Sequence, residues 1–200
     1  MPDILAIGTR RNNAELIEDL VALGYIDLDG LILDPTYGLG RWWNLVKPKN
    51  LVACDIDPEK SPIGYSVDFR STPWEDNTFD SVLFDPPYKL NGTSQGFGND
   101  ESYGVGNTRY ISIEDRHDLI KAGMRELTRV TSRVLVVKCQ DQVSSGKVQW
   151  QTRVFADYGE QLGLTLVDSL HVLGYRQQPP GRSQHHARRD YSTALVFKKR

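Results

Sequence analysis

The run Ser81-Val82-Leu83-Phe84 leads into Asp85-Pro86-Pro87-Tyr88, and the chain then turns polar and glycine-rich. Proline has no N–H for a sheet ladder and fixes its own φ, so an apolar strand read from residue 81 must stop at Asp85. Beyond that stop stand a carboxylate acceptor and an aromatic face on a backbone with little freedom. Groups mounted in this way are aimed before a partner arrives, which is what positional and electrostatic effects on a reaction require.

A second set of residues precedes it. The stretch "DPTYGLG", residues 34–40, puts Gly38 and Gly40 at the exit of an apolar run. There a glycine turn lets the backbone approach a ligand at the carboxyl end of a strand. The dinucleotide fingerprint needs a third glycine, and that position is Trp43; no Gly-Lys-Ser/Thr follows either. An NAD site and a phosphate-cradling loop are therefore disfavoured, which leaves a nucleoside ligand without a pyrophosphate. Asp55 ends the next apolar run, where an acid accepts from both hydroxyls of a ribose. Asp57 precedes Pro58 and reads as a turn former. Asp68 follows a third run and could accept from an adenine amine. One strand-end acid alone is more often a solvated cap; three in series beside a glycine turn point to a site.

These groups need strands and helices to hold them. Apolar runs over 30–34, 51–55, 65–69, 81–85 and 134–138 read as strands, with two more at about 164–173 and 191–198. Asn12 with Glu15, and Ser112 with Asp115, are capping pairs. The first opens a helix with Leu16, Ile17, Leu20 and Val21 on one face, closed by Gly24. The second opens one carrying Leu119, Ile120, Met124 and Leu127. Trp150, Val154, Phe155, Tyr158 and Leu162 give a third stripe ending near Gly163, and a short helix is expected after the glycine turn. Strands alternating with helices predict an α/β domain: a mostly parallel sheet covered on both faces.

The chain has 200 residues, 39% of them hydrophobic, enough for one domain with a substantial core. No apolar run spans a membrane and residues 1–13 lack signal-peptide order, so a cytoplasmic location is expected. Cys54 and Cys139 sit in apolar runs and read as small buried hydrophobes. The net charge of −2 hides a basic end: residues 171–200 hold seven Lys/Arg against one Asp, with three of the four histidines. A mildly acidic body with one basic edge suits a polyanion met through that edge.

In this order, the glycine turn, the strand-end acids and "DPPY" resemble the class I S-adenosylmethionine-dependent methyltransferases, and among them the amino-methyltransferases of small bacterial and phage DNA-modifying type. The specific likeness covers roughly residues 31–88. It implies a single Rossmann-like domain over 1–200 with an antiparallel C-terminal strand. Residues 1–30 would form a helical cover, 31–88 the cofactor and catalytic motifs, 89–111 a flexible loop and 171–200 a basic segment. It also implies S-adenosylmethionine as cofactor, held by Asp34, Thr36, Gly38, Gly40, Asp55, Ile56, Asp68 and Phe69, and a catalytic set Asp85, Pro86, Pro87 and Tyr88. No metal is implied, since adjacent His185 and His186 point apart and no acid or cysteine cluster joins them.

An exocyclic amine is a poor nucleophile because its lone pair is delocalised into the ring. Hydrogen bonds from the amine to Asp85 and to the Pro86 carbonyl would favour a tetrahedral nitrogen, with Tyr88 stacking on the base for ~1–3 kcal/mol. Two segments are left to meet a nucleic acid. The loop 89–110 contributes Lys89, Phe97, Tyr103 and Arg109, and the stretch 175–190 contributes Arg176, Arg182, Arg188 and Arg189 for phosphates, with Gln177 and Gln178 for base edges. Restriction-type enzymes usually carry a separate recognition domain, for which these residues leave no room. Adenine N6 in DNA is the expected target. Cytosine N4, an RNA base (guanine N2 or adenine N6) and a non-catalytic cofactor-binding module stay open.

Overall fold

A computed structural model describes residues 10–90, 112–174 and 185–200. The elements run α1 (Asn13–Ala22), β1 (Leu31–Asp34), a 3-10 turn (Arg41–Trp43), β2 (Asn50–Ala53), β3 (Phe79–Phe84), α2 (Ile113–Val130), β4 (Thr131–Cys139), β5 (Gln142–Ser144), β6 (Lys147–Gln149), α3 (Gln151–Gln161), β7 (Leu164–Leu173) and β8 (Tyr191–Lys199). Six strands form one sheet in the order β2-β1-β3-β4-β8-β7. The first four are mutually parallel, and β8 is antiparallel to both of its neighbours.

Alternation along the strands builds two cores. Leu33, Val82, Phe84, Leu135 and Val137 face α2 and α3, where Ile120, Met124, Leu127 and Phe155 meet them. Ile32, Leu83, Val134 and Val136 face the other way, onto Leu16, Ile17 and Leu20 of α1 and the tryptophans of the 3-10 turn. Successive side chains of a strand point to opposite faces, so strands buried on both sides read as continuous apolar runs. Both expected capping pairs form: Asn12 Oδ1 accepts from the Glu15 N–H at 2.9 Å, and Ser112 Oγ from the Asp115 N–H at 3.0 Å.

Helix α2 lies close enough to the sheet to need a glycine. A Cβ on Gly123 would stand 2.6 Å from Phe69 Cδ2 and 2.8 Å from Phe84 Cζ. Alanine gains about 1 kcal/mol in a helix interior over glycine. Both rings are packed, and Phe84 is fully buried directly before Asp85. Overpacking costs ~1–3 kcal/mol, so the clash should win. Gly123→Ala is expected to lower the urea midpoint of unfolding with an unchanged m-value.

The structure departs from the expected elements in three places. Residues 65–69 are not a strand: Val67 donates one backbone bond to the Asp55 carbonyl at 2.9 Å, and the chain then turns at Asp68, whose Oδ1 accepts from the Arg70 N–H. The sheet therefore ends at β2. The helix expected after the glycine turn is a single 3-10 turn, Arg41–Trp43. The hairpin β5–β6 has no counterpart among the expected strands. Ser145 and Gly146 both have positive φ, 49° and 76°, in its two-residue turn, the geometry that matches strand twist.

Candidate active site

At the carboxyl ends of neighbouring β1 and β3, Asp34 and Asp85 are held by consecutive tryptophans. Trp43 Nε1 donates to Asp34 Oδ2 at 2.8 Å, and Trp42 Nε1 to Asp85 Oδ2 at 3.1 Å. A 3-10 turn has fewer residues per turn than an α-helix and spreads neighbouring side chains widely, so adjacent indoles reach adjacent strand ends. Thr36 ties the two ends together: its N–H donates to Asp34 Oδ1 at 3.1 Å, and its hydroxyl accepts from the Asp85 N–H at 2.9 Å. Burial pushes the Asp34 carboxyl up to about 7, against the lowering effect of its bonds from Trp43 and Thr36; the charges of Asp85 and Asp55 raise it further.

The glycine turn is stitched to the end of β2. The Gly38 N–H donates to Asp55 Oδ2 at 2.9 Å and the Tyr37 N–H to the Cys54 carbonyl at 3.0 Å. Gly38 and Gly40 have φ of 54° and 64°, and a Cβ on Gly40 would lie 2.4 Å from the Tyr37 hydroxyl. Only glycine closes this turn without strain. Asp55 is partly exposed, its Oδ1 taking the Asp57 N–H at 3.0 Å, and each of its oxygens keeps a further lone pair. Ile56 beside it is 58% exposed, an apolar face open to a ligand. Asp57 is the turn former expected, accepting from the Glu59 N–H. Asp68 is engaged by Arg70 through both oxygens, and that bond holds its carboxyl below the usual range. Phe69 packs edge-on to Phe84, its ring turned to the core.

Around Asp85 the structure brings together residues that no motif announced. Lys138, at the end of β4 and 5% exposed, lies with Nζ 3.2 Å from Asp85 Oδ2 and 2.7 Å from Asn13 Oδ1 of α1. Its ammonium also stands 5.9 Å from the Trp42 ring centroid and 5.7 Å from that of Tyr88. Burial works against the charge, but Asp85 and Tyr88 outweigh it and hold the ammonium above the ordinary lysine value. Asp85 Oδ2 thus takes Lys138, Trp42 and, at 3.4 Å, Asn13, whereas none of the described residues donates to Oδ1. The Pro86 carbonyl accepts from the Tyr88 N–H at 2.7 Å, a tight turn that leaves it one lone pair.

Two buried glutamines anchor the backbone just past the prolines. Gln142 Nε2 and Gln151 Nε2 both donate to the Tyr88 carbonyl, at 3.0 and 2.9 Å, and the Leu90 N–H returns to Gln142 Oε1 at 3.1 Å. Removing a buried partner leaves a desolvated carbonyl, at a cost of ~1–3 kcal/mol. Gln151→Ala is expected to lower the melting temperature by several degrees, read by calorimetry. A cleft of about 540 Å³ is lined by Tyr88, Lys138, Gln140, Asn13, Arg11 and Arg41 among others.

The expected nucleic-acid contacts divide. Lys89 and Arg188 are exposed. Arg189 stacks on the half-exposed Trp150 ring at 4.4 Å, and its carbonyl accepts from Gln140, which gives it a structural role. Phe97, Tyr103, Arg109, Arg176, Gln177, Gln178 and Arg182 lie outside the described residues, as does most of the loop 89–111. Cys54 and Cys139 are buried and free. No metal-ligand cluster occurs among the described residues, and no described helix is long and apolar enough to cross a membrane. A signal for Lys138 is present in the sequence: a lysine closing the apolar run "VLVVK" has no solvated face to occupy and must be paired.

No protein-family model matches the chain, and no curated protein matches it in sequence. Solved structures do resemble it. Magnesium protoporphyrin IX methyltransferase from Synechocystis PCC 6803, with bound SAH, aligns at a TM-score of 0.58 and 14% identity over 94% of this chain and 81% of that one. A SAM-dependent methyltransferase from Aquifex aeolicus gives 0.52 and 13% over 94% and 89%. One from Methanosarcina mazei gives 0.52 and 10% over 90% and 96%. At such identities the likeness establishes the fold: a single Rossmann-like domain of the methyltransferase type.

Proposed function

We propose that the protein transfers the methyl group of S-adenosylmethionine to an exocyclic amine of a nucleic-acid base, adenine N6 in DNA before the others. One observation carries the reading. Asp85 offers a single open oxygen, Oδ1, on a proline-stiffened turn beside Tyr88, on the strand next to the glycine turn. The residues fit the cofactor: the left-handed turn at Gly38–Gly40 lies at the carboxyl end of β1, Asp55 has lone pairs for ribose hydroxyls, and exposed Ile56 offers an apolar face to an adenine. Asp68 would have to share its carboxylate with Arg70. When bound, the cofactor supplies an electrophilic methyl on a sulfonium.

Asp85 Oδ1 and the free lone pair of the Pro86 carbonyl accept the two amine protons and turn the nitrogen lone pair out of the ring plane. The C–N bond then forms as the S–C bond breaks, and one amine proton leaves to solvent or to Asp85. Tyr88 stacks on the base, offsetting part of the few kcal/mol that flipping it from a duplex costs.

The test offers the purified protein isotopically labelled S-adenosylmethionine with unmethylated duplex DNA, single-stranded DNA and unmodified RNA. The products are digested and the methylated nucleosides identified by mass. N6-methyladenine or N4-methylcytosine in DNA is the expected product. N2-methylguanine in RNA would keep the Asp85 chemistry and replace the substrate. Cofactor binding without transfer to any of them would favour a binding module. For the basic edge, Arg188→Ser is expected to reduce the slope of log affinity against log salt by about one if that side chain neutralises a phosphate.

A further inference from the structure

Trp150 stands outside the core that its helical spacing promises. It precedes the first residue of α3, off the stripe that buries Phe155, and its side chain is 49% exposed. The Arg189 guanidinium lies over the indole, 4.4 Å from the ring centroid. A ring covered on one face and still half exposed has its other face open, an uncommon state for so large an apolar side chain. The chain also sets this ring beside the reacting end of the sheet. Gln151, the next residue, donates Nε2 to the Tyr88 carbonyl at 2.9 Å. From the Cα spacing and the reach of a glutamine, the Trp150 Cα lies within roughly 12 Å of that carbonyl. The Arg189 carbonyl accepts from Gln140, which lines the same cleft as Tyr88. Lys147, Arg153 and Arg188 are exposed and close in the chain to Trp150 or Arg189; Arg153 pairs with Asp157 at 3.7 Å, and Asp190 is an exposed acid nearby.

We propose that Trp150, backed by Arg189, is a stacking platform for an unpaired base next to the one that is methylated. The inference rests on the methyl-transfer reading and adds to it a second base-binding site on the same strand. The guanidinium holds the indole from behind, so the open face is oriented before a base arrives and little side-chain freedom is lost on binding. Every base has a π face, so the platform grips a strand without reading its sequence. A base inside a closed duplex is stacked on both sides by its neighbours. The platform therefore takes a base only where the strand is open, as it is in a single strand or beside a flipped nucleotide. The cations around the ring decide the kind of partner. An apolar protein surface laid on Trp150 would desolvate Lys147 and Arg188 without compensation, whereas a phosphate backbone passing the ring pairs with them.

The test compares two single strands of equal length and charge. One is an oligothymidylate, whose bases stack weakly on one another; the other is its abasic counterpart, which keeps the phosphates and lacks the bases. Binding is read by fluorescence anisotropy at fixed salt. One stacked base is worth about 5- to 100-fold in affinity. Trp150→Ala is expected to lose that factor on the thymidylate and to change little on the abasic strand, since the phosphate contacts remain. Trp150→Phe, which keeps a smaller ring over Arg189, is expected to recover most of the loss. Trp150 makes no side-chain cap bond to α3. Should Trp150→Ala nevertheless fail to fold, Trp150→Leu refills the apolar volume without a π face and carries the same expectation. Equal losses on the two strands, or no loss on the thymidylate, would overturn the platform. So would an unchanged affinity with an altered oligomeric state, which would assign the ring to a second copy of the chain, and so would an unaltered protein that binds both strands equally or neither. Binding needs no transfer, so the two readings fail separately. Methylation with thymidylate affinity unmoved by Trp150→Ala keeps the reaction and removes the platform; a selective loss in a protein that transfers no methyl keeps strand stacking and removes the reaction.

Discussion

Replacing Asp85 by alanine should reduce methyl transfer by three orders of magnitude or more, yet the single variant is the wrong instrument for proving it. The loss has two sources. Oδ1 disappears as acceptor, and removing one preorganised hydrogen-bonding group from a reacting centre costs ~10²–10³ in kcat. The same change strips the counter-ion from Lys138, 3.2 Å away and 5% exposed. Breaking a buried ion pair from one side costs ~3–5 kcal/mol, a large share of a domain's stability. Asp85→Asn does not escape the difficulty. Its amide would turn the carbonyl toward Lys138 and present an NH₂ to the substrate amine, donor against donor. The decisive protein is Asp85→Ala with Lys138→Met, which removes both charges and refills the space with apolar volume. It is expected to bind S-adenosylmethionine within about threefold of the parent by calorimetry, because the glycine turn and Asp55 are untouched, and to show no transfer above background. Parallel loss of cofactor binding and transfer would sink the assignment of Asp85 to the substrate amine.

How much of this site a reader of the sequence can reach depends on the distance over which each contact is encoded. The turn at Asp85-Pro86-Pro87-Tyr88 is local: proline's missing N–H ends the strand wherever the chain goes afterwards. The caps at Asn12 and Ser112 and the left-handed turns at Gly38 and Gly40 are local in the same way. Asn13, Trp42 and Lys138 reach Asp85 from 72, 43 and 53 residues away, and only the sheet order β1-β3-β4 makes them neighbours. Trp43 illustrates the limit well. Its place at the third position of the dinucleotide fingerprint disfavours a pyrophosphate site and can be read from the sequence, while its bond to Asp34 across nine residues needs the 3-10 turn to be seen. The strand expected over 65–69 failed for the opposite reason. The alternation of Val67 and Phe69 is real and both side chains reach the core, but the backbone finds one partner where a strand needs a ladder.

The other large effect concerns Asp34 and the dependence of stability on pH. Its carboxyl is 4% exposed and bonded to two neutral donors, Trp43 Nε1 and the Thr36 N–H, and its folded-state pKa of about 7 lies above the ordinary aspartate value near 4. A raised acid favours the folded state while it holds its proton. The stabilisation is therefore complete below about pH 4 and is lost as pH rises through 7, by roughly 4 kcal/mol at one pKa unit per 1.36 kcal/mol. Asp34→Asn cannot ionise and should lack this slope. The amide has one acceptor for two donors, so a donor is left unpaired at a cost of ~1–3 kcal/mol at every pH. The two curves are therefore expected to cross: the parent more stable at pH 4, the variant equal or better at pH 8. Urea unfolding of both proteins at half-unit pH steps reads the difference directly, and titrations common to the two cancel. A difference that stays constant from pH 4 to 8 would mean that Asp34 is ionised throughout, and that some group not yet identified compensates its charge beneath the glycine turn.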